Sequence, residues 1–175
     1  MIEATHEPAL QELDETLDQA DWQAADEITF EIMLAETDRQ REGWLDQAAI
    51  AQFPCDVLHK IDQRWLFYSG GKFGFTPQLA IYREGAARSS FDFSRRVGWM
   101  MTSVWRPAGF FNFYSWLTFS LEEAPRGHLP ALWFWEMPWY LSWQTGGFGT
   151  GRGAGFGDAS LFDALMLRLE RCQHI

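Results

Sequence analysis

The chain is 175 residues long and 47% hydrophobic, with ten Trp, which is enough for one domain with a substantial core. Asp and Glu number 24 against 14 Lys and Arg, for a net charge of -10. That excess argues against holding a nucleic-acid backbone. No run approaches the length of a membrane span, and the acidic N-terminus lacks the apolar core of a signal peptide.

The charge is unevenly placed. No Lys or Arg precedes Arg39, while residues 1–38 carry twelve acids. The N-terminal face is therefore suited to a basic partner. Cys55 and Cys172 are the two cysteines. They form no CxxC pair, so a disulfide framework is not expected and a reducing compartment is the simpler reading.

Helical stripes dominate the chain order. Leu10, Leu13 and Leu17 recur at three and four residues and predict a helix over Pro8–Leu17. Asp21 is a fair N-cap for a second helix from Trp22 to about Leu34. Trp22, Ala25, Thr29, Ile32 and Met33 share its inner face, with Phe30 and Leu34 widening it. Together residues 8–36 read as a helical hairpin with its acids turned outward.

Asp46 is placed to cap Gln47–Gln52, and Asp56 to cap a helix reaching Tyr68 with Val57, Ile61 and Trp65 inward. Ser69-Gly70-Gly71 is a stop. Thr76 followed by Pro77 reads as the start of a further helix carrying Leu79, Ile81 and Tyr82. Phe91–Val97 fits one or two turns. Leu161, Leu165, Met166 and Leu169 form a last stripe ending near Cys172. Strands are expected only as short pieces around Phe110–Phe119. The fold class is all-α: a compact bundle of short helices with long ordered loops, in one domain over 1–175.

Gly98–Pro130 is the most informative stretch. It holds Trp99, Phe110, Phe111, Phe113 and Trp116 without a clean helix or strand period over its whole length. Such rings either pack a core or line a greasy concave surface, and flat rings recognise flat apolar ligands by burial and stacking. Arg106, Arg126 and His128 stand near its ends, where acidic substituents of such a ligand would need partners. His128 equally fits a structural role, fixing the loop backbone before Pro130. Asp62, inside a helix, fits the anchoring of a neighbouring loop better than acid chemistry. Trp65, Phe73 and Phe75 fit the core.

Residues 131–160 form an aromatic and Gly-rich insertion, expected to be partly disordered over its glycines. Trp133, Trp135, Trp139 and Trp143 there read either as a partner or membrane-surface patch or as rings folded back over the core. No catalytic or metal-ligating constellation stands out. The four His have no ligand spacing with cysteines, and the glycine tract lacks the lysine of a phosphate loop.

The ordered segments Trp22-Gln23-Ala24-Ala25-Asp26, Gly43-Trp44-Leu45, Phe53-Pro54-Cys55, Gly71-Lys72-Phe73-Gly74-Phe75, Val97-Gly98-Trp99 and Pro125-Arg126-Gly127-His128-Leu129-Pro130 resemble the GUN4 domain family. That resemblance implies a helical, cupped domain whose greasy palm holds protoporphyrin IX or magnesium protoporphyrin IX. It implies no catalysis. It further implies stimulation of magnesium chelatase, in chlorophyll biosynthesis, through the large porphyrin-binding subunit.

The ligand-binding residues expected are Trp99, Arg106, Phe110, Phe111, Phe113, Trp116, Arg126 and His128, with no intrinsic metal site. The loop at Asp38–Trp44 matches a second family feature. The chain starts almost directly at the domain, so no fused N-terminal module is expected. A monomer is expected, cytoplasmic or peripheral to the thylakoid membrane. Arg106–Asn112 and Ala131–Gly157 depart from the family pattern. For that reason a diverged carrier or sensor of another tetrapyrrole, such as a bilin, and a protein-interaction module without pigment both stay open.

Overall fold

The structure, a computed structural model, describes residues 7–85, 90–101, 110–144 and 160–173. Nine α-helices occupy them: α1 (Glu7–Asp18), α2 (Trp22–Glu36), α3 (Gln47–Ala51), α4 (Cys55–Tyr68), α5 (Phe75–Glu84), α6 (Ser90–Arg96), α7 (Leu132–Trp135), α8 (Trp139–Gln144) and α9 (Ser160–Cys172). Among the described residues β-pairing is limited to one isolated antiparallel bridge, Met100 to Phe111. The all-α expectation holds.

The stripes read from the sequence are the buried faces. Leu10, Leu13 and Leu17 of α1 pack on α2 and α4. Asp21 caps α2 by accepting the Ala24 N–H at 3.1 Å, and Asp46 caps α3 by accepting the Ala49 N–H at 2.8 Å.

Two expected caps are corrected. Helix α4 begins at Cys55, so Asp56 lies inside its first turn rather than before it. Helix α5 begins at Phe75 behind Gly74, and Thr76 is held from α4: Asp62 accepts its backbone N–H at 2.9 Å and its hydroxyl at 2.5 Å. Asp62 thus anchors the neighbouring segment, as its position predicted. Gly74 has φ of 126°, and a Cβ there would lie 2.8 Å from Asp62 Oδ1, so glycine is required.

Helix α5 packs against α4, α6 and α9, and α7 lies on α2. The core contains two groups of rings. Trp22, Trp65 and Phe73 form one, with the Trp65 indole N–H donating to Thr29 Oγ1 at 2.9 Å. The other joins Phe93, Trp99, Phe111, Trp133, Phe134, Trp135 and Phe162. Trp133 and Trp135 are therefore core residues. Their folded-back alternative is the observed one, while Trp139 and Trp143 face solvent.

The cysteine expectation is overturned. Cys55 and Cys172 are disulfide-bonded, with Cα atoms 5.3 Å apart across 117 residues of sequence. Helix α9 returns to pack on α3, which brings its C-terminus beside the start of α4. No local spacing could announce that pairing. The glycine-rich residues 145–159, on which the disorder expectation rested, lie outside the described residues.

Candidate functional site

The segment from Gly98 to Pro130 is clasped at several points. Met101 N–H donates to Phe110 O at 2.8 Å, and Asn112 N–H to Trp99 O at 2.9 Å. Gln78 Nε2 reaches across from α5 to the carbonyls of Gly127 and Pro130, at 3.1 and 2.8 Å. Lys72 Nζ donates to the carbonyls of Leu121 and Glu122. At Gly98, φ is 78° and a Cβ would meet Pro125 Cγ at 2.9 Å, so this close approach also requires glycine.

The expected binding residues divide by burial. Trp99 is wholly enclosed: its ring stacks on Phe134 at 5.7 Å, and its indole N–H donates to the His128 carbonyl at 2.7 Å. Phe111 packs in the same cluster, 4.9 Å from Phe134. His128 is buried too, with Nδ1–H donating to Val97 O at 2.6 Å and Nε2 accepting the Thr118 N–H at 3.1 Å. With both ring nitrogens engaged, His128 has no lone pair to offer a metal. Burial holds its pKa below the usual value, against the opposing pull of the Val97 bond, and the nearby Lys72 charge lowers it further.

Phe110 and Phe113 are half-buried, and Arg126 is exposed. Trp116, in the 3₁₀ turn Tyr114–Trp116, is 57% exposed, with Phe113 edge-on to it at 4.9 Å. Arg106 lies outside the described residues. The structure thus separates a supporting interior of Trp99, Phe111 and His128 from a rim of Phe113, Trp116 and Arg126. The His128–Thr118 bond ties the two segments that carry Trp116 and Arg126. Trp116 stands two residues before Thr118, and Arg126 two residues before His128. A flat ring and a cation with a forked donor set are the pair that a flat acid with an apolar face would need.

In the Asp38–Trp44 loop, Arg39 Nε donates to Trp44 O at 3.1 Å, and its guanidinium lies 4.8 Å over the Trp44 ring.

Sequence reasoning missed Asp26, whose carboxylate is turned inward rather than outward with the other hairpin acids. Oδ1 accepts the Ala131 N–H at 2.8 Å, while Oδ2 accepts the Leu132 N–H at 3.1 Å and the Tyr114 hydroxyl at 3.0 Å. Burial raises its pKa to about 7, although these bonds pull it down. Burial and the adjacent Asp26 push the Tyr114 hydroxyl far above its ordinary value. One signal was present: Asp26 follows Trp22 by four and precedes Thr29 by three, on the apolar stripe of α2.

Two surface grooves lie elsewhere. One, of about 450 Å³, runs between α1 and α2 with Ile28 and Ile32 in its lining and Glu12 and Glu31 at its edge. The other, of about 410 Å³, lies along α3 and α9. Neither includes the ring rim.

The described residues form an all-helical domain with a large buried aromatic cluster, and Trp116 and Arg126 face solvent. The chain belongs to the GUN4-like family, whose model matches residues 3–144. It is 34% identical over 127 residues to a Ycf53-like protein of Synechocystis, an alignment covering 69% of this chain and 49% of that protein. It is 33% identical over 109 residues to the protein ycf53 of Porphyra purpurea, covering 61% and 43%. The chain spans about half the length of these curated relatives, or less. Its fold is similar to ligand-free GUN4 of Arabidopsis thaliana, with a TM-score of 0.64, 21% identity and coverage of 90% and 91%. GUN4 from Chlamydomonas reinhardtii matches with a TM-score of 0.62, 18% identity and coverage of 91% and 88%.

Proposed function

We propose that the chain binds protoporphyrin IX and magnesium protoporphyrin IX without turning them over, and so stimulates magnesium chelatase through its large porphyrin-binding subunit. Family membership supports this reading. The observation that carries it is that one hydrogen bond, Thr118 N–H to His128, ties the segment of exposed Trp116 to the segment of exposed Arg126. Trp116 and Phe113 offer apolar area to one face of a macrocycle, and Arg126 offers paired donors to a propionate. The metal of a magnesium porphyrin travels with the ligand, since His128 is committed to Val97 and Thr118. The place of action that goes with this role is the cytoplasm or the periphery of the thylakoid membrane.

Titration with each porphyrin, followed by tryptophan emission, tests the reading. Saturable quenching in the micromolar range is expected, together with faster metal insertion by added chelatase and no turnover by the protein alone. Absence of saturable quenching by either porphyrin overturns it.

A further inference from the structure

Both cysteines of the chain are spent on one bond between two helix ends. Cys55 is the first residue of the 14-residue α4 and is half-buried; Cys172 is the last of α9 and is enclosed. Near its other end α9 carries Phe162, which stacks on Phe134 at 4.1 Å and lies 5.3 Å from Trp99. The helix whose far end is clipped by the bridge therefore floors the ring cluster at its near end.

We propose that Cys55–Cys172 is a site of reversible thiol–disulfide exchange with a dithiol protein reductant, and that opening it loosens α9 beneath the ring cluster. Three features favour exchange over a permanent staple. First, α9 is held without the bridge. Leu161, Phe162, Leu165, Met166 and Leu169 are buried along it, Tyr82 donates to Asp163 at 2.8 Å, and Arg168 donates to the Phe53 carbonyl at 2.7 Å. The helix thus has the contacts to stay docked when the bond opens. Second, the domain already has ample core, with Trp65, Trp99, Trp133 and Trp135 all fully buried, so it is not a fold that needs a crosslink to exist. Third, the two sulfurs differ in access and in electrostatic setting.

A thiolate of the reductant attacks Cys55 Sγ, the more accessible sulfur. The Cys55–Cys172 bond breaks, and Cys172 leaves as a thiolate that takes a proton from water. The second thiol of the reductant then loses its proton and attacks the mixed disulfide, releasing Cys55. The start of α4 favours the departing Cys55 thiolate, because unpaired N–H groups and the helix dipole stabilise negative charge there. The reductant ends as a disulfide and the chain as a dithiol, so two electrons and two protons balance.

The test uses thioredoxin with its reductase and NADPH on the native oxidised protein, followed by alkylation and mass spectrometry. The expected result is no alkylation before treatment and two alkylations after it. Helical far-UV signal should be retained, tryptophan emission should change, and Tm should fall by roughly 5–15 °C. Reoxidation should restore the starting values. The Cys55→Ser/Cys172→Ser double variant should fold, show the reduced protein's Tm and ignore the reductant. A bond that opens only in denaturant overturns the proposal, as does reduction that leaves Tm and emission unchanged. A double variant that cannot fold also overturns it, because the bridge is then a requirement for folding.

Discussion

The imidazole of His128 accepts the backbone N–H of Thr118 at 3.1 Å, and with it the loop carrying Arg126 is fastened to the segment carrying Trp116. The same ring donates to Val97 O at 2.6 Å, so it bridges three stretches of chain as a neutral imidazole. His128→Ala is expected to lower stability by about 2–4 kcal/mol, since it leaves a cavity and two backbone groups without partners. Chemical denaturation checks this at pH 7. The pKa of His128 is lowered on folding, so its contribution is present above the unfolded value of about 6.5 and is lost as pH falls through the depressed folded value. The variant should therefore lose less stability than the parent between pH 7 and pH 5.

Asp26 works in the opposite direction. Its folded pKa is raised to about 7 from an ordinary carboxylate value, so its favourable contribution is complete at low pH and is lost as pH rises through 7. Over the interval between the two values this residue alone lowers the unfolding free energy by up to about 1.4 kcal/mol per pH unit. Asp26→Asn should flatten that part of the profile. Urea denaturation between pH 5 and 8 measures both chains, and a parallel slope in the variant would assign the pH dependence to other groups.

The difference between what the sequence disclosed and what it concealed follows the range of the interaction. Leu10, Leu13 and Leu17 declared their face because helix period is local, and Asp21 and Asp46 declared themselves as caps for the same reason. Asp56 and Thr76 misled because Asp62, fourteen residues before Thr76, supplies the holding bonds from another helix. Asp26 meets partners about a hundred residues away, and Cys55 meets Cys172 at a longer separation still. Within the candidate site, residue type drew attention to rings and cations alike. It did not divide Trp99, Phe111 and His128, which are enclosed, from Trp116 and Arg126, which face solvent. For Trp99 and Phe111 that division depends on Phe134, Trp135 and Phe162 arriving from elsewhere in the chain, and His128 is held inside by Val97 and Thr118.

Helix α8 supports a separate expectation. Trp139 and Trp143 are 65% and 70% exposed, Tyr140 lies edge-on to Trp139, and the helix carries no charge. Amphipathic rings of this kind favour the water–lipid boundary. With a net charge of -10, attraction to anionic lipid would not drive contact; ring insertion would. The intact protein should float with zwitterionic vesicles, and Trp139→Ser/Trp143→Ser should sediment while keeping its Tm. If the intact protein never floats, with or without porphyrin, membrane contact through α8 is excluded.

Arg126 and Trp116 should fail differently when removed. Arg126 is exposed, so its pairing with a propionate is screened by water and contributes about 1 kcal/mol, or roughly fivefold in affinity. Arg126→Ala should weaken binding of a porphyrin with free propionates by that factor and leave its dimethyl ester unaffected. Trp116 offers ring area rather than charge, so Trp116→Ala should weaken the acid and the ester alike, by about 0.5–1.5 kcal/mol. Neither change should lower Tm, because both side chains stand outside the core. Fluorescence titration of the two variants with the two ligands gives four affinities that separate the roles. Equal losses of acid and ester in Arg126→Ala would make Arg126 a shaper of its loop, leaving the propionate to another cation.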